Sequence, residues 1–398
     1  MWILVKGKKA TEISSKVVNQ LLMMYPEENL LNRPVFVDAF DNDSIMLNTL
    51  KEECEKLLIP WQMMLLDEKN LKKHIQHIEQ QRKYKISNKL LAKRKGSGDV
   101  TSRRIVDRLI RLQNFLTEDS NLAKNEFASA LSQLSISDAA NKILNHFEID
   151  REKLWARPTK TKALEYLIKQ IEARNINISR GVLVHKLLPM HQVVSGDVYK
   201  NTSGFIIQDE KIPFIFLPSE ISNEFEGRQI YTLIYLLVII GLNKFDYYLE
   251  KNFTYKKLRR NSPEFLFHSI TSELLMPSLE LDKYRRGQIT TAIRDELSQK
   301  LKVTPTALVY NLKLRKIITQ EEYEELKPDD YQPDGKNKGV KRNSKVSTAI
   351  KKFCGELCYD AIRTAVQTQT LVPTQLQYLI YGGINKKGFK EFRAEIGV

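Results

Sequence analysis

One run, RQIYTLIYLLVIIGL from Arg228 to Leu242, has no polar face beyond Tyr231. Read as a helix it is apolar on every side, so other segments must enclose it completely. It is bounded by Arg228 and Lys244 and falls short of the roughly 20 apolar residues that span a bilayer. The run therefore predicts a central helix inside a soluble domain, and no membrane partner is expected. A helix of that kind needs many covering segments. The chain has 398 residues and 42% apolar content, enough for two to four domains with ordinary cores.

A second run, EFLFHSITSELLMP, extends from Glu264 to Pro277. Together the two runs resemble the motif helices of the ImmA/IrrE-like zinc metallopeptidases. In that family the first motif reads R-x-x-F-T-L-A-H-E-L-G-H-L, and its two His and Glu bind zinc and activate water from one helix face. Arg228, Tyr231, Thr232 and Leu233 keep the frame here. Tyr235 and Ile239 stand where the two His would be, and Leu236 where the general base would be. The family's second motif reads E-x-x-A-N-x-F-A-A-x-L-L-M-P. This chain keeps Glu264 at the third-ligand position and the ending Glu273-Leu274-Leu275-Met276-Pro277. One carboxylate without two imidazoles does not hold a catalytic zinc ion. Ser203-Gly204-Phe205 and Pro213-Phe214-Ile215-Phe216 also fit the family's small sheet, so the resemblance runs from about Ala139 to Ile318. It implies a retained scaffold and a lost reaction, with no catalytic residue, metal or cofactor. Leu236 and Ile239 are expected in the core, and Glu264 close to Tyr235.

Elsewhere the periodicity is mostly helical. Trp2–Val5 reads as a short strand, and Glu12–Tyr25 as a helix with Val17, Val18, Leu21 and Leu22 on one face. Pro34–Ala39, PVFVDA, reads as a buried strand or extended segment. Further helices are expected at Ser44–Leu58, from a cap at Asp67 to Lys85, and at Ser102–Leu116, Ser120–Leu134, Ser137–Phe147 and Thr161–Arg174. Asn177–Leu188 and Phe205–Leu217 hold β-prone runs. Beyond Pro277, AIRDELSQKLKVTPTALVYNLKLRKII has the apolar spacing of a helix-turn-helix, with a turn at Lys302-Val303-Thr304. The family too places such a pair after its zinc domain. Lys327–Lys345 has the Pro, Gly, Asp and Lys of an exposed linker. The expected fold is α+β and mainly helical: a zincin-like small sheet with helices, a helix-turn-helix and a C-terminal helical unit. The expected divisions are a mostly helical region with a basic end (1–100), the degenerate ImmA/IrrE-like domain (101–285), the helix-turn-helix-like pair (286–326), the linker (327–345) and the C-terminal unit (346–398).

The net charge of +15 suggests an acidic partner: nucleic acid, an anionic membrane surface or an acidic protein. The most basic segment, Gln81–Arg104, includes Lys89, Lys93, Arg94, Lys95, Arg103 and Arg104. Such clusters track phosphates, and they also serve as solvated hinges. The second helix of the pair offers Thr306, Tyr310, Asn311, Lys313 and Arg315. Asn and Arg make paired hydrogen bonds to adenine and guanine edges. A helical pair used only for packing is the competing reading.

Other candidate chemistry is thinner. Asp38, Asp41 and Asp43 could gather magnesium in a nuclease, although a turn with Asp43 or Ser44 as helix cap explains them more simply. His74 and His77 are three apart without a third ligand in register. A zinc site rebuilt from His185, His191 and Glu264 or His268 would lack the usual His pair one turn apart. The cysteines are three, Cys54, Cys354 and Cys358, with no CxxC pair, which fits a reduced cytoplasm. The start, MWILVKGKKATE, lacks the features of a secretory leader.

The resemblance implies a cytoplasmic bacterial or phage-borne protein. Active members cut repressors or act in stress responses, and related genes serve as antitoxins or regulators of mobile elements. This chain is expected to bind rather than cut: a regulator or scaffold in a phage, mobile-element, defence or toxin–antitoxin setting, acting on nucleic acid, a partner protein or both. The alternatives are an enzyme with a relocated active site, such as a metal-dependent nuclease, and a structural subunit of a larger assembly.

Overall fold

The computed structural model describes residues 1–24, 30–57, 59, 61–86, 100–118, 122–181, 202–218, 225–247, 249–250, 261–328, 345–372, 375–376, 379 and 386–398. The chain begins with β1 (Trp2–Val5) and β2 (Lys8–Glu12), an antiparallel pair. Helix α1 (Ser15–Met23) buries Val17, Val18, Leu21 and Leu22, the face its periodicity predicts, and Ser14 caps it. Pro34–Asp41 is a helix, α2, where the sequence suggested a strand. Pro34 presets the backbone of the first helical position, and Phe36 and Ala39, three apart, form the buried face. The expected helix at Ser44 starts late for the opposite reason. Ser44–Met46 is strand β3, because Ile45 aligns with Ile3 in a parallel pairing with β1. Helices α3 (Leu47–Leu57) and α4 (Glu68–Lys85) follow, the latter capped by Asp67, which accepts from Asn70 N at 2.8 Å. These elements share a core of their own, including Ile3, Val18, Leu21, Phe36 and Leu50.

Helix α5 (Val100–Thr117) joins this unit to the next. Arg82 of α4 pairs with Asp107, and Lys85 Nζ donates to Gln113 Oε1 at 2.7 Å, all buried. The helix expected at Ser120–Leu134 is not formed among the described residues of that stretch. Residues 126–133 are turns, with Ser129 and Gln133 at φ 70° and 65°. That left-handed backbone interrupts a helix. The segment is held instead by tertiary bonds, Leu131 N to Gly241 O at 2.9 Å and Asn125 N to Glu210 O at 2.7 Å. Helices α6 (Ile136–His146), α7 (Arg151–Trp155) and α8 (Lys160–Glu172) lead to β4 (Asn177–Arg180).

Strands β5 (Thr202–Ile207) and β6 (Phe214–Leu217), helix α9 (Phe225–Gly241) and strand β7 (Leu249–Glu250) come next. The sheet runs β4–β6–β5–β7, with β4 parallel to β6 and the other pairs antiparallel. Phe205 aligns with Phe216 and Ile207 with Phe214, within the β-prone runs of the sequence. Side chains alternate across the sheet. Ile178, Ile206, Ile215 and Leu217 join the core around α8 and α9, while Phe205, Ile207, Phe214 and Phe216 join a second core. Both faces are covered, so the strands read as continuous apolar runs. Gly204 lets α9 approach: a Cβ there would lie 2.8 Å from the Phe216 carbonyl and 2.9 Å from the Thr232 methyl.

The chain continues through α10 (Pro263–Leu275), α11 (Ser278–Leu281), α12 (Thr291–Lys300), α13 (Pro305–Leu314) and α14 (Gln320–Leu326), which complete the first core. Helices α15 (Val346–Cys354), α16 (Glu356–Gln367) and α17 (Lys386–Glu395) build the second core with α5. Asn177 Nδ2 donates to Cys354 O at 2.7 Å and Ser179 Oγ to Phe353 O at 2.5 Å, fastening α15 to the edge strand β4. The fold is α+β and mainly helical, with two small mixed sheets. Among the described residues no helix is long and apolar enough to cross a membrane.

Candidate functional site: a groove beside the motif helices

Helices α9 and α10 pack together through the positions where the resemblance places a metal site. Leu236 and Ile239 are fully buried. The Tyr235 ring meets Phe267 edge-on with centroids 5.8 Å apart, and His268 at 4.7 Å. Tyr231 stacks on His268, and its hydroxyl lies 2.9 Å from His268 Nδ1. Burial pulls the His268 pKa down to about 3, so this imidazole is neutral. The space between the helices is thus filled by side chains. Glu264 sits one turn earlier, in the first turn of α10, half-buried. The ring neighbours of Tyr235 include Phe267 and His268, one turn beyond Glu264.

Beside α10, with His268 and Ser272 in its wall, a groove of about 590 Å³ opens between α6, α7, α10, α11 and α13. Its floor is polar. Asn311 Nδ2 donates to Ser272 Oγ at 2.5 Å, and Arg315 donates to Glu273 at 2.8 Å and to Ser278 Oγ at 2.6 Å. Burial alone would raise the Glu273 pKa, but the bonds from Arg315 and Ser278 outweigh it and hold the carboxyl below its ordinary range. Arg151 donates through Nε to Leu274 O at 3.1 Å and through Nη2 to Glu273 O at 3.2 Å, capping the C-terminal end of α10. The mouth is apolar. Ile136, Leu279 and Leu314 line it while 38%, 83% and 43% exposed.

Two helices, α12 and α13, stand where the sequence has helix-turn-helix spacing, with Lys302 between them at φ 60°. The side chains put forward as base readers do not share an open face. Asn311 is buried against Ser272, and Arg315 is bound to Glu273. Lys313 bonds Gln320 and lies 4.3 Å over the Tyr323 ring. Tyr310 is buried, which pushes its pKa up to about 12. Thr306 is exposed. α13 packs into the core through Leu308, Val309 and Leu312, and its polar face meets α10 and α14.

The other candidates are scattered. Lys89, Lys93, Arg94, Lys95, His185 and His191 lie outside the described residues. Arg103 and Arg104 fall near the start of α5. Asp38 and Asp41 are on α2, and Asp43 pairs with the Met1 amino group at 3.0 Å. His74 and His77 are on α4, where burial, Arg111 and His77 lower the His74 pKa. Among the described residues no group of three or more His, Cys, Asp or Glu could hold a metal ion. Sequence reasoning missed the groove. Its one local signal is Leu279, an apolar residue in a short polar stretch after the L-L-M-P ending. Arg151 gave no signal, because its partners are carbonyls more than a hundred positions away. No family model, curated protein or solved structure matches the chain.

Proposed function

We propose that this protein is a catalytically inert ImmA/IrrE-like regulator or scaffold that works by binding a partner macromolecule in the groove beside α10. The observation that carries the reading is the filled space between α9 and α10. Tyr235, Leu236 and Ile239 occupy it with buried rings and aliphatic chains, and a zinc-bound water would need open room there. Next to that packed space, α10 also lines a groove with an exposed apolar mouth, a feature that in a folded domain marks an interaction surface. The motif residues suggest a regulator in a phage, mobile-element, defence or toxin–antitoxin setting. The three free thiols, Cys54, Cys354 and Cys358, favour a reducing cytoplasm.

Two measurements test this. Equilibrium dialysis against zinc should leave far less than one equivalent on the chain; a full equivalent that disappears in Glu264→Ala would overturn the inert reading. A photo-crosslinking amino acid at position 279, introduced in the cell of origin, should give a discrete adduct. The same probe at Leu65, exposed on the N-terminal unit, should not. No adduct at 279 would remove the groove from the proposal.

A further inference from the structure

We infer that the groove takes a peptide segment of a partner protein in which apolar side chains stand next to a carboxylate, with Arg151 selecting the carboxylate. This rests on the reading of the groove as the binding surface, and it names the class of partner. Three elements send exposed apolar side chains to one mouth: Ile136 from α6, Leu279 from α11 and Leu314 from α13. Nothing in their own helices covers them, and apolar contact with a partner would remove that surface from water.

The floor decides the charge. Arg315 is fully engaged: Nε faces Asn311 Oδ1 at 3.4 Å, Nη1 donates to Ser278 and Nη2 to Glu273. Arg151 is not. Its Nε and Nη2 donate to main-chain carbonyls, and among the described residues its Nη1 has no hydrogen-bond partner. The charged side chains of the lining are Arg151, Arg315 and Glu273, with His268 neutral, so the groove carries one net positive charge. A basic segment would be repelled. A wholly apolar one would dry the Arg151 guanidinium without a new acceptor, which is costly. A nucleic-acid backbone would set phosphates against Leu279 and Leu314 and find, among the described lining residues, one open cation where it needs a row of them. A carboxylate placed beside leucine-sized side chains satisfies both the mouth and Arg151.

The test is selection from a displayed library of random linear peptides on the full chain, with counter-selection on the Leu279→Asp/Leu314→Asp double variant. The expected result is a set of groove-dependent peptides that pair Leu, Ile or Phe with Asp or Glu. A synthetic representative should bind about tenfold more weakly to Arg151→Met and lose much of its salt dependence there. Arg151 also holds the end of α10, so a second variant guards against a folding effect. Asn141→Asp adds a carboxylate at an exposed position of the lining and should weaken the same peptide several-fold. Groove-dependent peptides without acidic residues, or with Lys or Arg in their place, would overturn the inference while leaving groove binding intact. Displacement of the peptides by a duplex oligonucleotide would overturn it in favour of nucleic acid. A selection yielding no groove-dependent peptide would count against the groove itself.

Discussion

Glu172 accepts backbone hydrogen bonds from Ile178 at 3.1 Å and Glu356 at 2.9 Å, so one carboxylate ties the end of α8 to β4 and to the first turn of α16. Burial pushes its pKa up to about 7, against the pull of those two bonds. Between the ordinary 4.5 and about 7 the folded chain therefore holds a proton that the unfolded chain has released. Its contribution to stability is full below 4.5 and is lost as pH rises through about 7. His268 acts in the other direction. With its pKa pulled from 6.5 to about 3, it stays neutral while the unfolded imidazole takes up a proton, so stability falls as pH drops through that window. Glu172→Gln should thus be more stable than the parent at pH 8, with the gap closing by pH 5. His268→Phe should cost about 1–3 kcal/mol near neutrality, because the buried hydrogen bond between Tyr231 and His268 is lost, and should flatten the acid limb. Urea midpoints of the three proteins at pH 8, 6.5 and 5 check both. A Glu172→Gln difference that does not vary with pH would show that this carboxyl titrates normally.

At the scale of elements, β5, β6 and α9 fit closely together. Gly204 lies where the strand, the Phe216 carbonyl and Thr232 of the helix come together. Gly204→Ala should therefore cost about 1–3 kcal/mol through overpacking, read as a lower denaturation midpoint. An unchanged midpoint would show that α9 can move away from the sheet at little cost. Several elements were legible without tertiary information. The cap at Asp67, the turn at Lys302, and the apolar run of α9 depend on neighbours a few positions away. α2 and β3 were not legible. PVFVDA suits a strand or a helix, and only Phe36 and Ala39 facing one core choose the helix. Ser44–Met46 suits a helix, and only Ile3 across the sheet makes it a strand. The second helix of the α12–α13 pair teaches the same lesson about sites. Its boundaries are local, but whether Asn311 and Arg315 face water depends on Ser272 and Glu273 of α10.

For the whole molecule, the central sheet is a partition between two cores, and the C-terminal helices form part of one of them. Ending the chain at residue 344 would strip α15, α16 and α17 from Phe205, Phe214 and Phe216. The truncated protein should aggregate or bind a hydrophobic dye strongly, and co-expressed residues 345–398 should restore solubility. A soluble, dye-silent truncation would mean that α5 alone covers that face. The sequence by itself determined that this chain is mainly helical, that Tyr231–Gly241 lies in a buried helix, and that positions 235, 236 and 239 hold neither His nor Glu. Those properties follow from residue type and short-range spacing. Tertiary structure alone decided that His268 meets the two tyrosines, that the last helices cover the sheet, and that Arg151, Leu279 and Leu314 meet at one groove. The physical reason is range. A helix or cap is set by residues within a turn or two, whereas burial, charge pairing and a groove are set by side chains brought together from distant parts of the chain.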